Sequence, residues 1–146
     1  MLVAASLIEE MLEEILRSFM SENKATQSLF DGGFSPVGSL SAKAALARSL
    51  CLISAEEFVD IGLVRRIRNT FAHSVMCSFD DPKIRDWSLK LKVGMEALDA
   101  LDSGHKSRVD KPIARFSMVT TSLVTSLYNR AHYVTRERLE DRAWPV

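Results

Sequence analysis

Arg68, Asn69 and His73 fall within one short stretch, RNTFAH, at residues 68 to 73. Side chains of these three types could together cleave RNA without a metal. A neutral imidazole near pH 7 can take a proton from a ribose 2′-hydroxyl or return one to the leaving oxygen. A guanidinium can hold the scissile phosphate with a fork of donors and stabilise the charge it gains. Asn69 would orient the phosphate or the histidine. No carboxylate cluster accompanies the stretch, because Asp80 and Asp81 come several residues later, so no metal site is expected there. The same residues also suit a plain helix end. A histidine in the last turn is favourable against the negative end of the helix dipole, and asparagine is common where helices stop.

The segment that carries RNTFAH has helical spacing from Ala55 to about Ala72, with Phe58, Val59, Leu63, Val64, Ile67 and Phe71 as its expected apolar face. On a regular helix Asn69 and His73, four apart, share a face, with Arg65 and Arg66 nearby. Arg68 and His73, five apart, stand about 140° from each other around the axis. Convergence of those two therefore needs the helix to tighten or unwind at its end, or a second copy to bring its own motif alongside.

The other elements read as helices too. Ile8, Leu12, Ile15, Leu16 and Phe19 form the apolar stripe of a first helix over about residues 3 to 21, with the Glu run at 9 to 14 as a solvated face. Residues 21 to 40, rich in Gly, Ser and Asn, read as loop with room for a short helical turn. Leu29, Phe30, Phe34 and Val37 should hold that loop down. A second helix starts at Ser39 or Ser41, carries Leu46, Leu50 and Ile53 inward, and stops before a capping box made by Ser54 and Glu57. Asp80 or Asp81 with Pro82 opens a fourth helix bearing Ile84, Trp87, Leu91, Met95 and Leu98. Pro112 opens a fifth bearing Ile113, Phe116, Leu123, Leu127 and Val134, whose charged end is expected to project beyond the core. No repeat and no strand is visible. The expectation is one helical domain over residues 1–146, an all-α bundle of four to five helices.

A chain of 146 residues is long enough to bury a core, and 47% apolar with 26% charged residues is an ordinary globular balance. Lys plus Arg and Asp plus Glu each number 19, so bulk charge points to neither a nucleic acid nor a membrane, and any such surface must be a local patch. Arg65, Arg66, Lys43 and Arg48 are the cations that could supply one for an RNA backbone. Cys51 and Cys77 lack metal-ligand spacing and read as reduced, partly buried thiols. His105 and His132 are too scattered to join His73 in a metal site, and no metal or cofactor is implied. The N-terminus lacks the basic region of a signal peptide, and no run is long enough to span a membrane, so a cytoplasmic protein is expected.

Two resemblances sharpen these alternatives. IRNTFAH resembles the Arg-polar-x-x-x-His signature of HEPN domains, small helical bundles, with Arg68, Asn69 and His73 at the arginine, polar and histidine positions. That resemblance implies a metal-independent endoribonuclease or RNA-binding protein of the toxin or phage-defence kind, its site assembled from two motifs across a homodimer, though the family also has members without nuclease activity. The longer block from Leu29 to about residue 85, including LFDGGFSPVGSLSAKAAL, is similar to the centre of the mannitol operon repressor (MltR) family. That likeness implies a HEPN/MltR-like bundle and a non-enzymatic transcription regulator acting through a protein partner. A helix–turn–helix that reads DNA is not expected, because the helix after SLCLIS has an apolar face needed by the core. RNA, an antitoxin or regulator protein, and a second copy of the chain are the partners in view.

Overall fold

The computed structural model describes residues 2–74, 76–99 and 111–145. Those residues form seven α-helices and no strand: α1 (Leu2–Phe19), α2 (Lys24–Phe30), α3 (Leu40–Ser49), α4 (Ala55–His73), α5 (Pro82–Leu89), α6 (Met95–Asp99) and α7 (Pro112–Val134). A 3-10 turn, Thr135–Glu137, follows. Among the described residues no helix is long and apolar enough to cross a membrane. Leu98 and His105 lie outside the residues whose side chains are described.

The all-α expectation holds, and the helix count rises for two reasons, one local and one long-range. Asn23 accepts a hydrogen bond from the Thr26 backbone N–H at 2.9 Å, which starts α2 inside the segment read as loop. The expected fourth helix is interrupted between Leu89 and Met95. There Asp60 of α4 accepts the backbone N–H groups of Lys92 and Val93, each at 2.8 Å, and Gly94 adopts φ +80°. A side chain at Gly94 would collide with Ser122 of α7, so the chain turns where it meets that helix.

The core lies between α1 and α7, which pack chiefly against each other, with α3 and α4 on one side and α5 on another. Ile8, Leu12, Ile15 and Leu16 of α1 meet Phe116, Val119, Leu123 and Leu127 of α7, all buried. The apolar stripes of these two helices are therefore consumed inside one chain. Ile113 and Phe34, both expected to pack, are exposed. Past α7 the chain folds back onto the end of α1. The Leu139 N–H donates to the Phe19 carbonyl at 2.7 Å, and the Arg138 side chain donates to the carbonyls of Ser18 and Arg17. Carbonyls that a helix end leaves without partners are satisfied in this way, and the described residues beyond Leu139 are exposed.

Buried polar contacts set the rotation of α4. Ser54 and Glu57 make the expected capping box. Glu57 also points inward, where both its oxygens accept from Arg130 of α7 at 2.7 and 2.8 Å. Burial alone would raise the Glu57 pKa, but the bonds from Arg130 and from the Ser54 N–H outweigh it and hold the carboxyl below its usual range. Asp60 is buried as well, and there desolvation prevails over its two backbone hydrogen bonds and pushes its pKa up. With Glu57, Asp60, Ile61, Val64 and Ile67 facing in, Phe58 and Val59 must face out, contrary to the pattern expected from apolarity alone. Their exposures are 39% and 58%.

Candidate functional site

RNTFAH closes α4, and the helix keeps its α form through His73 before Ser74 turns to extended backbone. It neither tightens nor unwinds. Arg68 and His73 of one chain consequently keep their angular separation of about 140°. Asn69 and His73 share the open side of the helix. Arg68 Nη1 donates to Asn69 Oδ1 at 3.1 Å, which leaves the Asn69 amide nitrogen free to donate outward. Arg68 and His73 are exposed, and Asn69 is half-buried. Behind them Phe71 packs on Phe79 with ring centroids 5.2 Å apart, which ties the end of α4 to the segment before α5.

Arg65, Arg68 and Asn69 line a polar cavity of about 300 Å³ against the start of α3 and the first turns of α1. Ser39 and Ser41 contribute hydroxyls to it. Ser39 is the N-cap of α3: its oxygen accepts the Ala42 N–H at 3.2 Å and lies 3.2 Å from the Ser41 oxygen. Among the described residues no carboxylate is ion-paired with Arg65, Arg66 or Arg68. Glu9 also borders the cavity, but its Oε1 accepts from Lys43 at 3.1 Å.

Of the four cations expected to face RNA, Arg65 alone lines this cavity. Lys43 is buried, 6% exposed, and bridges Glu9 and Glu13 of α1 at 3.1 and 3.0 Å. Burial disfavours its charge, yet the bonds to Glu13 and Glu9 prevail and raise its pKa. Its charge is thus spent inside the protein, which corrects both its place in an RNA surface and the reading of Glu9 and Glu13 as freely solvated. Arg48 is exposed but sits at the far end of α3, bonded to the Ile53 carbonyl at 3.3 Å, about 10 Å along the axis from Ser41. Arg65 and Arg66 remain beside the motif, at i−3 and i−2 from Arg68.

Ser39 and Ser41 are the neighbours that spacing did not single out as site residues. The serines reach the motif only because α3 runs antiparallel to α4, a tertiary fact with no signature in the sequence. Neither cysteine is paired: Cys77 is half-buried and its thiol lies 3.3 Å from the Ser74 carbonyl, while Cys51 is exposed rather than partly buried. His132 lies on α7, away from His73, and among the described residues no three His, Cys, Asp or Glu side chains cluster as a metal-binding group would. In comparisons with protein families, with curated proteins and with solved structures, nothing matches this chain.

Proposed function

We propose that this chain is a HEPN-type, metal-independent endoribonuclease of the toxin or phage-defence kind, acting as a homodimer. The observation that carries the reading is the accessible Arg68–Asn69–His73 set at the end of a regular helix, beside a cavity lined by a second guanidinium, Arg65, that has no carboxylate partner among the described residues. Arg68 holds the scissile phosphate, Asn69 positions it, and the His73 imidazole takes the proton of the ribose 2′-hydroxyl. The 2′-oxygen then bonds to phosphorus as the bond to the 5′-oxygen breaks, and a protonated imidazole returns a proton to that leaving oxygen. The products are a 2′,3′-cyclic phosphate and a 5′-hydroxyl. Because Arg68 and His73 of one chain diverge on α4, the arginine and both imidazoles come together only when a second copy adds its own motif.

The test is cleavage of a mixed RNA pool in excess EDTA by the wild type, Arg68→Ala and His73→Ala, with the folding of each checked by circular dichroism. Cleavage that survives chelation and disappears in both folded variants is the expected result. An intact RNA pool with wild type overturns it. The exposed Phe58 and Val59 favour the second reading, a non-enzymatic regulator of the MltR kind that uses this face for a protein partner.

A further inference from the structure

A second cavity, about 330 Å³ and mainly apolar, lies along α4 next to the polar one. Phe58 and Gly62 line it, and Arg66 borders it. The two cavities share Leu40, Ser41 and Arg65, so they form one trough between α3 and α4 that is apolar at one end and cationic at the other. Gly62 is the anomaly in it. Glycine is the poorest residue for a helix interior after proline, and no packing requirement explains it here, since a Cβ at that position would meet nothing within 4 Å. Its effect is to leave the trough wall bare, so a flat group can lie against the helix backbone. Phe58, partly exposed, offers a ring face at the edge of the same space, and a guanidinium such as that of Arg66 can also stack on a planar ring.

From the shared trough and the bare wall at Gly62 we infer that this face binds a nucleoside phosphate: the base lies in the Phe58–Gly62 cavity and the phosphate lies between Arg65 and Arg68. Charge complementarity selects the occupant, because an apolar planar group joined to an anion matches an apolar cavity joined to Arg65 and Arg68, which pair with no carboxylate among the described residues, while Glu9 at the rim is bonded to Lys43. Phe58 and Gly62 would then admit and select the base next to the phosphate that Arg68 holds. The inference rests on the reading of Arg68 as a phosphate holder, but it does not need cleavage.

Calorimetric titration of the full chain with adenosine 5′-monophosphate and with inorganic phosphate tests it, in wild type, Gly62→Leu and Arg65→Ala. Leucine fills the apolar cavity from a helical position with open space, so the fold is retained. The monophosphate should bind wild type roughly tenfold more tightly than phosphate, the scale of one stacked base. Gly62→Leu should remove that advantage while leaving phosphate binding as it was, and Arg65→Ala should weaken both ligands. Equal affinity of wild type for the two ligands, or no binding of either, overturns the inference. So does a Gly62→Leu variant that binds the nucleotide normally, including one whose oligomeric state has changed, which would make the occupant a second copy. A short single-stranded oligoribonucleotide titrated into His73→Ala separates the sources: tighter binding than the mononucleotide identifies a strand, and equal binding a free nucleotide. Loss of nucleotide binding in Gly62→Leu with no RNA cleavage by wild type would leave the inference standing and remove the nuclease reading. Cleavage with unchanged nucleotide binding would do the reverse.

Discussion

Replacing Arg130 by methionine keeps the apolar stem and deletes the guanidinium that locks α4 to α7. Two charge-assisted hydrogen bonds to Glu57, at 2.7 and 2.8 Å, and one to the Leu52 carbonyl, at 3.0 Å, are lost together. Deleting one partner of a fully buried ion pair costs about 3–5 kcal/mol, because the remaining charge is stranded. The Arg130 side chain is 29% exposed, and Glu57 keeps its 2.7 Å bond from the Ser54 N–H, so the low end applies. We expect a loss of about 3 kcal/mol in urea unfolding followed by circular dichroism, and a fall in Tm of roughly 6–12 °C. Removing both charges in the double variant Glu57→Gln, Arg130→Met should recover part of it.

The pH dependence is the more discriminating readout. The folded pKa of Glu57 in wild type lies below its unfolded value, so its contribution is present above the unfolded pKa and disappears as pH falls through the folded one. Without Arg130 only the Ser54 hydrogen bonds still oppose burial, so the folded pKa rises from its wild-type position. Ionised Glu57 then stabilises the variant less than wild type near pH 7, and that difference closes as pH falls and the carboxyl is protonated. The deficit of Arg130→Met relative to wild type should therefore shrink on acidification from about pH 7 to about pH 4. A loss under about 1 kcal/mol, or a deficit that stays constant over that range, would refute the assignment of this pair as a buried lock.

Asp60 is displaced in the opposite direction to Glu57, its folded pKa lying above the unfolded, so its effect on stability falls as pH rises from the unfolded pKa to the folded one. Asp60→Asn removes that counterweight and should steepen the loss of stability toward acid, as read by urea midpoints across the carboxylate range. Cys51 stands at φ 58° after α3, where the Leu52 N–H reaches back to the Ala47 carbonyl at 2.9 Å, the arrangement that favours glycine. Cys51→Gly should stabilise the protein by about 1 kcal/mol in the same assay, because the left-handed conformation strains a side chain with a Cβ.

Helix chemistry was legible in the residues themselves. The stripe of Ile8, Leu12, Ile15 and Leu16, the Ser54–Glu57 box and the proline at the start of α7 act within a turn or two, so sequence neighbours determine them, and RNTFAH is the end of α4 as its spacing implies. The break before Met95 was not legible, because it depends on Asp60 of α4 and Ser122 of α7, far away in the chain. On α4, Leu63, Val64 and Ile67 are buried as their apolarity implies, but Phe58 and Val59 are not, for a related reason. Apolarity sends Phe58 and Val59 inward, but Glu57 and Asp60, three apart on the same helix, find partners in the interior and take those places. Lys43 shows the same limit from the other side: a lysine in isolation is a cation for any anion, and only the packing of α3 on α1 brings Glu9 and Glu13 to it. The types and order of the residues thus determined the motif, its helix and the all-α class, through interactions local along the chain. Which charges stay free for a ligand, and which cavities lie beside Arg68, was decided by long-range pairing, since a buried ion must find its partner wherever the fold puts one.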